Sequence, residues 1–452
     1  MIANNQVKYL KNKLMKIKML IWALISLLSI ESLAAKNIPP RKILKMFRKS
    51  EVLKQQFTGF ALYDLEKRKM LVELNSDKYF TPASNTKLFT FYAGLKLLKD
   101  SIAGLHYVES GDSLIFWGTA DPSFLNRELR EQKVLKNLSS SKKNLYWSTG
   151  LYNGDFYGMG WSYDDYNDYY QPEISEFPIY GNVVFFSKKN NALNTYPEIV
   201  NGGQITLQTE KTSSSTRFRI RRNLFNNEFH IPNTAIPSNF NQTVPFKVSE
   251  QVVSELLKQS FPNFSGITSQ KKPIDAKTWY SVPSDTLFRA MLLPSDNFIA
   301  EHILLNIAAT KGMEMNTSLV IEHVTKNYLS DLPDKPLWVD GSGLSRQNLF
   351  TPRTMIKLCE KIYDEVSDEE RLFDLLPQGG KTGTLKNLYK SDKPYVFAKT
   401  GSLANNHNQS GYLVGRKGKK YIFSFMNNNF TESTAVIRAE MEKIINSITQ
   451  NH

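Results

Sequence analysis

The sequence contains a single cysteine, Cys359, in 452 residues. An intramolecular disulfide framework and a cysteine-based zinc cluster are therefore excluded. Histidine is also scarce, with six scattered residues, and neither His-Glu-x-x-His nor Gly-x-Ser-x-Gly occurs. These two patterns accompany zinc hydrolases and many serine hydrolases. If the protein is catalytic, other residue types must carry the chemistry.

The pronounced apolar run near the start of the chain, residues 19–30, is short. It has 12 residues, whereas a bilayer-spanning helix needs roughly 17–25. Lysines precede the run, and Ser32, Ala34 and Ala35 follow it. This order is typical of a secretory signal peptide. We predict that residues 1–34 are cleaved off and that the protein acts in the periplasm; the alternative is an uncleaved membrane anchor.

Charge and composition indicate an ordinary globular protein with a basic surface. Hydrophobic residues make up 41% and charged residues 22% of the chain, and the formal net charge is +14. Globular proteins have similar fractions, so overall disorder is excluded. For an exported protein, a basic surface favours anionic wall polymers or lipid head groups over nucleic acid. Nucleic acid is therefore not a predicted partner, whereas peripheral membrane contact and the oligomeric state stay open.

The pattern of predicted secondary structure changes twice along the chain. Residues 58–66 and 70–74 have the pattern of a hairpin. Helical spacing then puts apolar side chains on one face of a predicted amphipathic helix, those of Leu88, Phe91, Tyr92, Leu95 and Leu98. Short β-like runs alternate with polar loops from about residue 110 to 275, and helical patterns then return, among them one over about 284–309 and a last one with Thr431 as candidate N-cap. We predict an α+β protein in which a β-rich insertion, residues 111–274, interrupts one domain made of residues 36–110 and 275–452.

Ser84-x-x-Lys87 stands where a proline-containing loop enters a predicted helix. Three residues are about one helical turn, so the two side chains share a side. A serine becomes a good nucleophile when a nearby base takes its proton, and a lysine held neutral by burial can be that base. Other pairs with this spacing, such as Ser139 and Lys142, lie in polar stretches without a following helix.

Two further motifs occur later in the chain. Ser295-Asp296-Asn297 opens a predicted helix, and its hydroxyl and amide could relay a proton and hold a substrate amide; an ordinary helix cap is the alternative. Lys-Thr-Gly occurs twice, in a glycine-containing loop at Lys381 and at the end of an apolar strand at Lys399. Only the strand fixes the lysine and threonine on a sheet face, so we favour the copy at Lys399.

In this order, the three motifs resemble those of the serine acyltransferases that include β-lactamases and penicillin-binding proteins. The long gap between Lys87 and Ser295, with phrases such as Asp340-Gly341-Ser342-Gly343, resembles the class C low-molecular-mass penicillin-binding proteins. These form the D-Ala-D-Ala carboxypeptidase/endopeptidase family. The resemblance implies a β-lactamase/DD-peptidase-like transpeptidase domain, an antiparallel sheet with helices on both sides. It covers residues from about 40 to 447.

The resemblance also implies a mechanism. Ser84 would attack the D-Ala-D-Ala bond of a peptidoglycan stem peptide, with Lys87 as base, and water would then hydrolyse the acyl-enzyme. No metal or organic cofactor would be needed. β-Lactams would acylate the same serine and so act as inhibitors. The implied roles are catalytic for Ser84, Lys87 and Ser295; substrate binding for Asn297, Lys399, Thr400 and Ser402; and oxyanion binding for the backbone N–H groups of Ser84 and Ser402.

Several alternatives stay open at this stage. The chain could also cleave cross-links as an endopeptidase, be a β-lactamase that uses Glu301 to activate water, or be an inactive wall-binding protein. His302 and His407 are expected to have surface or packing roles. Residues 340–345 are expected to form a structural loop near the cleft, and Cys359 is expected to pack as a small apolar side chain on a helix.

Overall fold

A computed structural model describes residue 15 and residues 39–451, except 201 and 212–216. The predicted signal peptide, residues 1–34, therefore lies almost wholly outside the described residues. The helices are α1 Pro40–Lys49, α2 Lys87–Leu97, α3 Lys133–Ser140, α4 Glu250–Ser260, α5 Ser284–Leu292, α6 Asn297–Lys311, α7 Thr317–Tyr328, α8 Pro352–Val366, α9 Glu369–Leu375 and α10 Thr434–Asn451. None of the helices in this described part is long and apolar enough to cross a membrane.

The strands fall into four sheets. They are β1 Phe57–Asp64, β2 Lys69–Leu74, β3 Ser101–Ser110, β4 Ser113–Gly118, β5 Asn144–Ser148, β6 Val183–Lys189, β7 Ala192–Tyr196, β8 Thr206–Thr209, β9 Arg221–Arg222, β10 Glu228–Ile231, β11 Asn241–Pro245, β12 Phe264–Thr268, β13 Lys277–Pro283, β14 Val396–Leu403, β15 Asn406–Val414 and β16 Lys420–Asn428.

The principal sheet has the strand order β14-β15-β16-β1-β2, with every neighbouring pair antiparallel. Side chains along β16 alternate between its two faces, as a strand period of two requires. Ile422 and Met426 join a core with α2 and α5–α9, whereas Phe423 and Phe425 join a core with α1 and α10. The sheet therefore has helices on both sides, and the predicted α+β transpeptidase-like fold is confirmed.

Helix α2 differs from the amphipathic helix that its sequence suggests. On the predicted face, Leu88, Phe91 and Tyr92 are buried, whereas Leu95 and Leu98 are partly buried. Phe89 and Thr90 are fully buried as well, because the helix packs against both α6 and α8. Residues 87–94 are all buried, so this part of the helix has no solvent face. Ser84 and Lys87 are thus attached to one of the best-anchored elements of the molecule.

The segment between the first and second motifs builds the other sheets. A mixed sheet has the order β12-β5-β4-β3-β13, and two three-stranded sheets, β11-β6-β7 and β8-β10-β9, accompany it. The outer pair β3 and β13 belongs to the mixed sheet although both strands lie outside the predicted insertion, residues 111–274. The division into domains stays a prediction, and this pairing indicates that the inserted unit extends beyond both predicted ends.

The helical pattern over residues 284–309 forms two helices, α5 and α6, and α6 begins at Asn297, where the second motif is predicted to open a helix. Ser295, in the turn between the two helices, has φ of +68°. Helix α10 begins at Thr434, and the hydroxyl of Ser433 accepts a hydrogen bond from the Val436 N–H, so Thr431 is not the N-cap. The break before α6 matters for function because it turns the second motif toward the first.

Candidate active site

Ser84 lies in the turn that leads into α2, and Lys87 is the first residue of that helix. A short 3₁₀ helix, Ala83–Thr86, carries Ser84 and leads directly into the α-helix. This geometry brings Lys87 Nζ to 2.9 Å from Ser84 Oγ. The predicted pairing within one turn is therefore present, and the serine hydroxyl has a basic nitrogen at hydrogen-bond distance.

The Lys87 amine is completely buried and has two other polar partners. Its Nζ lies 2.6 Å from Asn297 Oδ1 and 2.6 Å from the Ser342 carbonyl oxygen. Burial lowers the pKa of Lys87 to about 8, although the carboxylates of Asp340, Asp296 and Glu301 act in the opposite direction. Burial disfavours the ammonium because the charged form loses its hydration. About a tenth of the amine is therefore neutral at pH 7, compared with less than about a thousandth for a lysine of ordinary pKa.

The second motif meets the first through Asn297. Asp296 caps α6, since its carboxylate accepts a hydrogen bond from the Ile299 N–H at 2.8 Å. Asn297, in the first turn, holds Lys87 with its oxygen and donates from Nδ2 to the Tyr170 carbonyl at 2.9 Å. The helix cap and the cleft-facing amide are both present, carried by adjacent residues.

The third motif lies on β14, opposite the Ser84 turn. Lys399 Nζ is 2.8 Å from Ser295 Oγ and 2.7 Å from the Thr400 carbonyl oxygen. A methyl group on Gly401 would lie 2.3 Å from the Pro82 carbonyl oxygen and 2.9 Å from the Ser84 nitrogen. Glycine is therefore the residue that lets the strand approach the serine turn this closely.

The Lys399 amine shares the electrostatic environment of Lys87. It is fully buried, and burial together with the nearby Lys87 charge holds the pKa of Lys399 well below its usual range. Two amines in one dry site disfavour simultaneous protonation, because like charges repel strongly where water is excluded. The site therefore contains two lysine–serine pairs, Lys87 with Ser84 and Lys399 with Ser295.

All three motifs open onto one cleft of about 840 Å³. This volume lies within the range of small-molecule sites. Ser84, Ser295, Asn297, Thr400 and Ser402 line it. The structure thus brings together every site residue predicted from the sequence: the five lining residues directly, and Lys87 and Lys399 through their serine partners. The aromatic side chains of Trp161, Tyr169 and Tyr170 form another wall.

Residues 340–345 form a tightly bonded loop beside Lys87. Asp340 accepts hydrogen bonds from the backbone N–H groups of Gly343 and Ser345 and from the Trp161 indole. The loop presents the Ser342 carbonyl oxygen to Lys87. The expected structural loop is therefore present, and it also supplies a lysine contact that sequence reasoning did not identify.

Glu301 does not have the position that a water-activating carboxylate requires. It is 1% exposed, and its two oxygens accept hydrogen bonds from the Gly341 and Ser342 N–H groups at 3.0 and 2.8 Å. Burial and the neighbouring Asp340 raise the pKa of Glu301. The side chain supports the loop behind Lys87, so the geometry does not favour the β-lactamase alternative built on Glu301.

The Lys-Thr-Gly copy at Lys381 lies in a loop, as predicted, and the Lys381 side chain is exposed. Thr384, just after this copy, contacts the site: Thr400 Oγ1 donates a hydrogen bond to its hydroxyl at 2.7 Å. Sequence reasoning did not identify Thr384. Its nearness to the motif copy was the available signal, but the contact depends on how the loop folds back on β14.

The two histidines near the motifs are both fully buried. His302 has a packing role: its Nδ1 lies near the Phe298 carbonyl and its Nε2 accepts from the Ser175 N–H. His407 instead contacts the site, with Nδ1 2.7 Å from Ser402 Oγ. The expected surface or packing role is therefore confirmed for His302 as packing, whereas His407 packs beneath a residue that lines the cleft. Cys359 is buried on α8, as predicted.

Among the residues that the structure describes, no group of three or more His, Cys, Asp or Glu side chains is arranged to hold a metal ion. The polar side chains that line the cleft carry hydroxyls, an amide, the guanidinium groups of Arg346 and Arg438, and the carboxylate of Asp165. Such groups can exchange protons with one another and can bind peptide and carboxylate groups.

A helix-borne Ser-x-x-Lys, a facing Ser-x-Asn and a Lys-Thr-Gly strand on a five-stranded antiparallel sheet define a serine acyltransferase of the β-lactamase and DD-peptidase class. Residues 41–451 match the D-Ala-D-Ala carboxypeptidase 3 (S13) family. The chain belongs to this family, and it is therefore a serine-type D-Ala-D-Ala carboxypeptidase.

Known relatives agree with this assignment. The chain is 23% identical to the D-alanyl-D-alanine carboxypeptidase DacB of Haemophilus influenzae, with 82% of this chain and 85% of that protein covered. Its fold is similar to the crystal structure of penicillin binding protein 4 from the same organism. The TM-score is 0.70 at 18% identity, covering 90% of this chain and 99% of the other. A second structure of that protein, complexed with a β-lactam, gives 0.67 at 17% identity, covering 91% and 100%.

Proposed function

We propose that Ser84 is the nucleophile of this carboxypeptidase and Lys87 its general base. A neutral lysine amine has two N–H donors and one lone pair. The oxygens of Asn297 and Ser342 accept the two donors. The lone pair is then free to accept the Ser84 hydroxyl proton across 2.9 Å. This arrangement is the observation that carries the proposal.

The remaining site residues are assigned by their positions around Ser84. Ser295, hydrogen-bonded to Lys399, delivers a proton to the departing amine. Asn297 holds the substrate amide, and the side chains of Lys399, Thr400 and Ser402 receive the terminal carboxylate. The backbone N–H groups of Ser84 and Ser402 bind the oxyanion. Donors of this kind are worth about 3–4 kcal/mol each in related chemistry.

The proposed substrate is the D-Ala-D-Ala end of a peptidoglycan stem peptide. Ser84 attacks the carbonyl carbon of the penultimate D-Ala, the terminal D-Ala leaves as the free amine, and water then cleaves the ester. The same site would open a cross-link that presents an equivalent bond, which is endopeptidase activity. A β-lactam would acylate Ser84 and inhibit the enzyme; a neighbour of this fold has been crystallised with such a compound.

The direct test is to incubate the purified protein with wall fragments and identify the products by mass spectrometry. Loss of one D-Ala from pentapeptide stems is expected for the wild type, and no loss is expected for Ser84→Ala. Conversion of cross-linked dimers to monomers would establish endopeptidase activity as well. Unchanged stems and cross-links with folded wild-type protein would overturn the proposal.

We also propose export to the periplasm after removal of residues 1–34, with a catalytic domain of residues 36–110 and 275–452 around the insertion. The lysine-rich start, the short apolar run and the small residues near Ala34 support export. Peptidoglycan lies outside the cytoplasmic membrane, so a site for stem peptides also fits this location. The basic net charge suits the anionic polymers found there.

A further inference from the structure

The His407 imidazole lies directly beneath the Ser402 hydroxyl. The two residues are register partners on β14 and β15, and Nδ1 lies 2.7 Å from Oγ. Ser402 is exposed to the cleft, whereas His407 is completely buried. The histidine therefore cannot reach a substrate itself, but it contacts a hydroxyl that can.

The surroundings of His407 keep its ring neutral. Burial, with the positive charges of Arg438 and Lys399, lowers the pKa of His407 to about 3. A neutral imidazole has one nitrogen that donates a hydrogen bond and one that accepts. The bonding of the far nitrogen, Nε2, therefore determines what Nδ1 offers to Ser402.

Gln409 and Tyr389 decide the identity of the donor nitrogen. The Tyr389 hydroxyl donates to Gln409 Oε1 at 2.6 Å, which turns the amide nitrogen of Gln409 toward His407 Nε2 at 3.3 Å. An amide nitrogen can only donate, so Nε2 accepts and Nδ1 carries the hydrogen. The backbone of Tyr389 is held in place, because its backbone N–H donates a hydrogen bond to Glu442 Oε1 at 2.6 Å.

We propose that His407 is a positioning residue that makes Ser402 a hydrogen-bond donor to the terminal carboxylate of the substrate. Since Nδ1–H donates to Ser402 Oγ, the serine keeps its own hydrogen for the cleft. In the other tautomer Ser402 would donate to Nδ1, and its lone pairs would face the carboxylate. This inference rests on the proposed function, in which Ser402 receives the carboxylate.

The test compares two substrates in three proteins. The substrates are an acylated D-Ala-D-Ala peptide and the same peptide with its terminal carboxylate converted to an amide. The proteins are wild type, His407→Asn and His407→Leu. The measured quantity is kcat/KM for the peptide acid divided by kcat/KM for the peptide amide. This ratio does not depend on the fraction of folded protein. Asn can place an amide donor near the position of Nδ1, whereas Leu cannot donate.

For His407→Leu, kcat/KM for the acid relative to the amide should fall about fivefold, because the Ser402 hydroxyl loses the donor that keeps its hydrogen directed at the carboxylate. His407→Asn should restore the ratio to within about twofold of wild type, since it keeps a donor at this place. Equal losses on both substrates, or no rescue by Asn, would overturn the proposal. If the wild type released no D-Ala at all, the proposed function would fail instead.

A second pair of variants tests the tautomer itself. Gln409→Glu presents only acceptors to His407 Nε2, so the ring hydrogen would move to Nε2. Nδ1 would then accept a hydrogen bond from Ser402 instead of donating one. The substrate ratio should fall in Gln409→Glu, and this fall should disappear when Ser402→Ala is added. Gln409→Met, similar in size but without a hydrogen-bonding amide, should have a smaller effect. An equal fall with and without the Ser402 hydroxyl would contradict the positioning role.

Discussion

Two buried lysines, each beside a serine hydroxyl, determine the chemistry at the scale of single residues. Lys87 contacts Ser84 and Lys399 contacts Ser295. Burial lowers the pKa of both amines, and the charge of Lys87 lowers that of Lys399 further. The protein thereby obtains a base that works near neutral pH without histidine, because desolvation removes the advantage of the ammonium form.

The rate of acylation should depend on pH through Lys87. Its pKa is lowered to about 8, so the neutral, reactive form dominates above this pH and is lost below it. We expect kcat/KM for β-lactam acylation to fall about tenfold per pH unit well below pH 8 and to level off above it. A stopped-flow pH profile measures this dependence.

Lys87→Met is the control for that profile, since it removes the base but keeps a long unbranched side chain. It should lower the acylation rate by at least about a thousandfold. A wild-type rate that increased toward acid pH would show that the reactive form of the site is protonated, and Lys87 would not be the base.

At the scale of secondary-structure elements, the site depends on the close approach of β14 to the Ser84 turn. Gly401→Ala places a methyl group 2.3 Å from the Pro82 carbonyl oxygen, so strand and turn must separate. A displacement of about 1 Å can cost a hundredfold in rate. We expect acylation by a fluorescent penicillin to decrease by about that factor while far-UV circular dichroism stays that of wild type. Wild-type acylation in Gly401→Ala would show that the contact is not needed.

The loop behind Lys87 is a second element-scale feature, and Glu301 holds it. In Glu301→Gln one amide N–H must face a backbone N–H, so we expect a loss of about 1–3 kcal/mol in unfolding free energy. Denaturant unfolding measures this loss, with the exposed Glu432→Gln as control. The deacylation rate of acylated protein should stay unchanged. Abolished deacylation with unchanged stability would instead make Glu301 a water-activating residue.

The local part of this site could be predicted from the sequence, and the contacts between elements could not. Ser84 and Lys87 are one turn apart, so helical periodicity alone brings them together. His407 is five residues from Ser402, but it contacts the serine only because the β14–β15 hairpin sets this register. The contact of Glu301 with Gly341 joins two distant segments, and no local pattern encodes it. Helix α2 was wrongly expected to be amphipathic because the sequence does not reveal what surrounds it.

At the scale of the whole molecule, the segment between the first and second motifs takes part in building the cleft. Its Tyr170 carbonyl accepts a hydrogen bond from Asn297, which in turn contacts Lys87. Its Trp161 indole donates to Asp340, in the loop that presents the Ser342 carbonyl oxygen to Lys87. The segment therefore forms one wall of the site, although it contains none of the three motifs.

Export is a property of the whole chain and has a simple test. When the full chain is produced in a bacterial host, intact-mass analysis of the periplasmic protein should show that it starts at Ala35, because the small residues at Ser32 and Ala34 suit cleavage after Ala34. A substitution of Ala34→Leu should slow this processing. Retention of residues 1–34 on the folded protein would support a membrane anchor instead.

The most direct measurement is peptide mapping by mass spectrometry of protein quenched during turnover of a D-Ala-D-Ala peptide. The acyl group should be found on Ser84, with one D-Ala released for each acyl group formed. No acyl group should form in Ser84→Ala. An adduct on another residue, or release of D-Ala by Ser84→Ala at the wild-type rate, would contradict the assignment of Ser84 as the nucleophile.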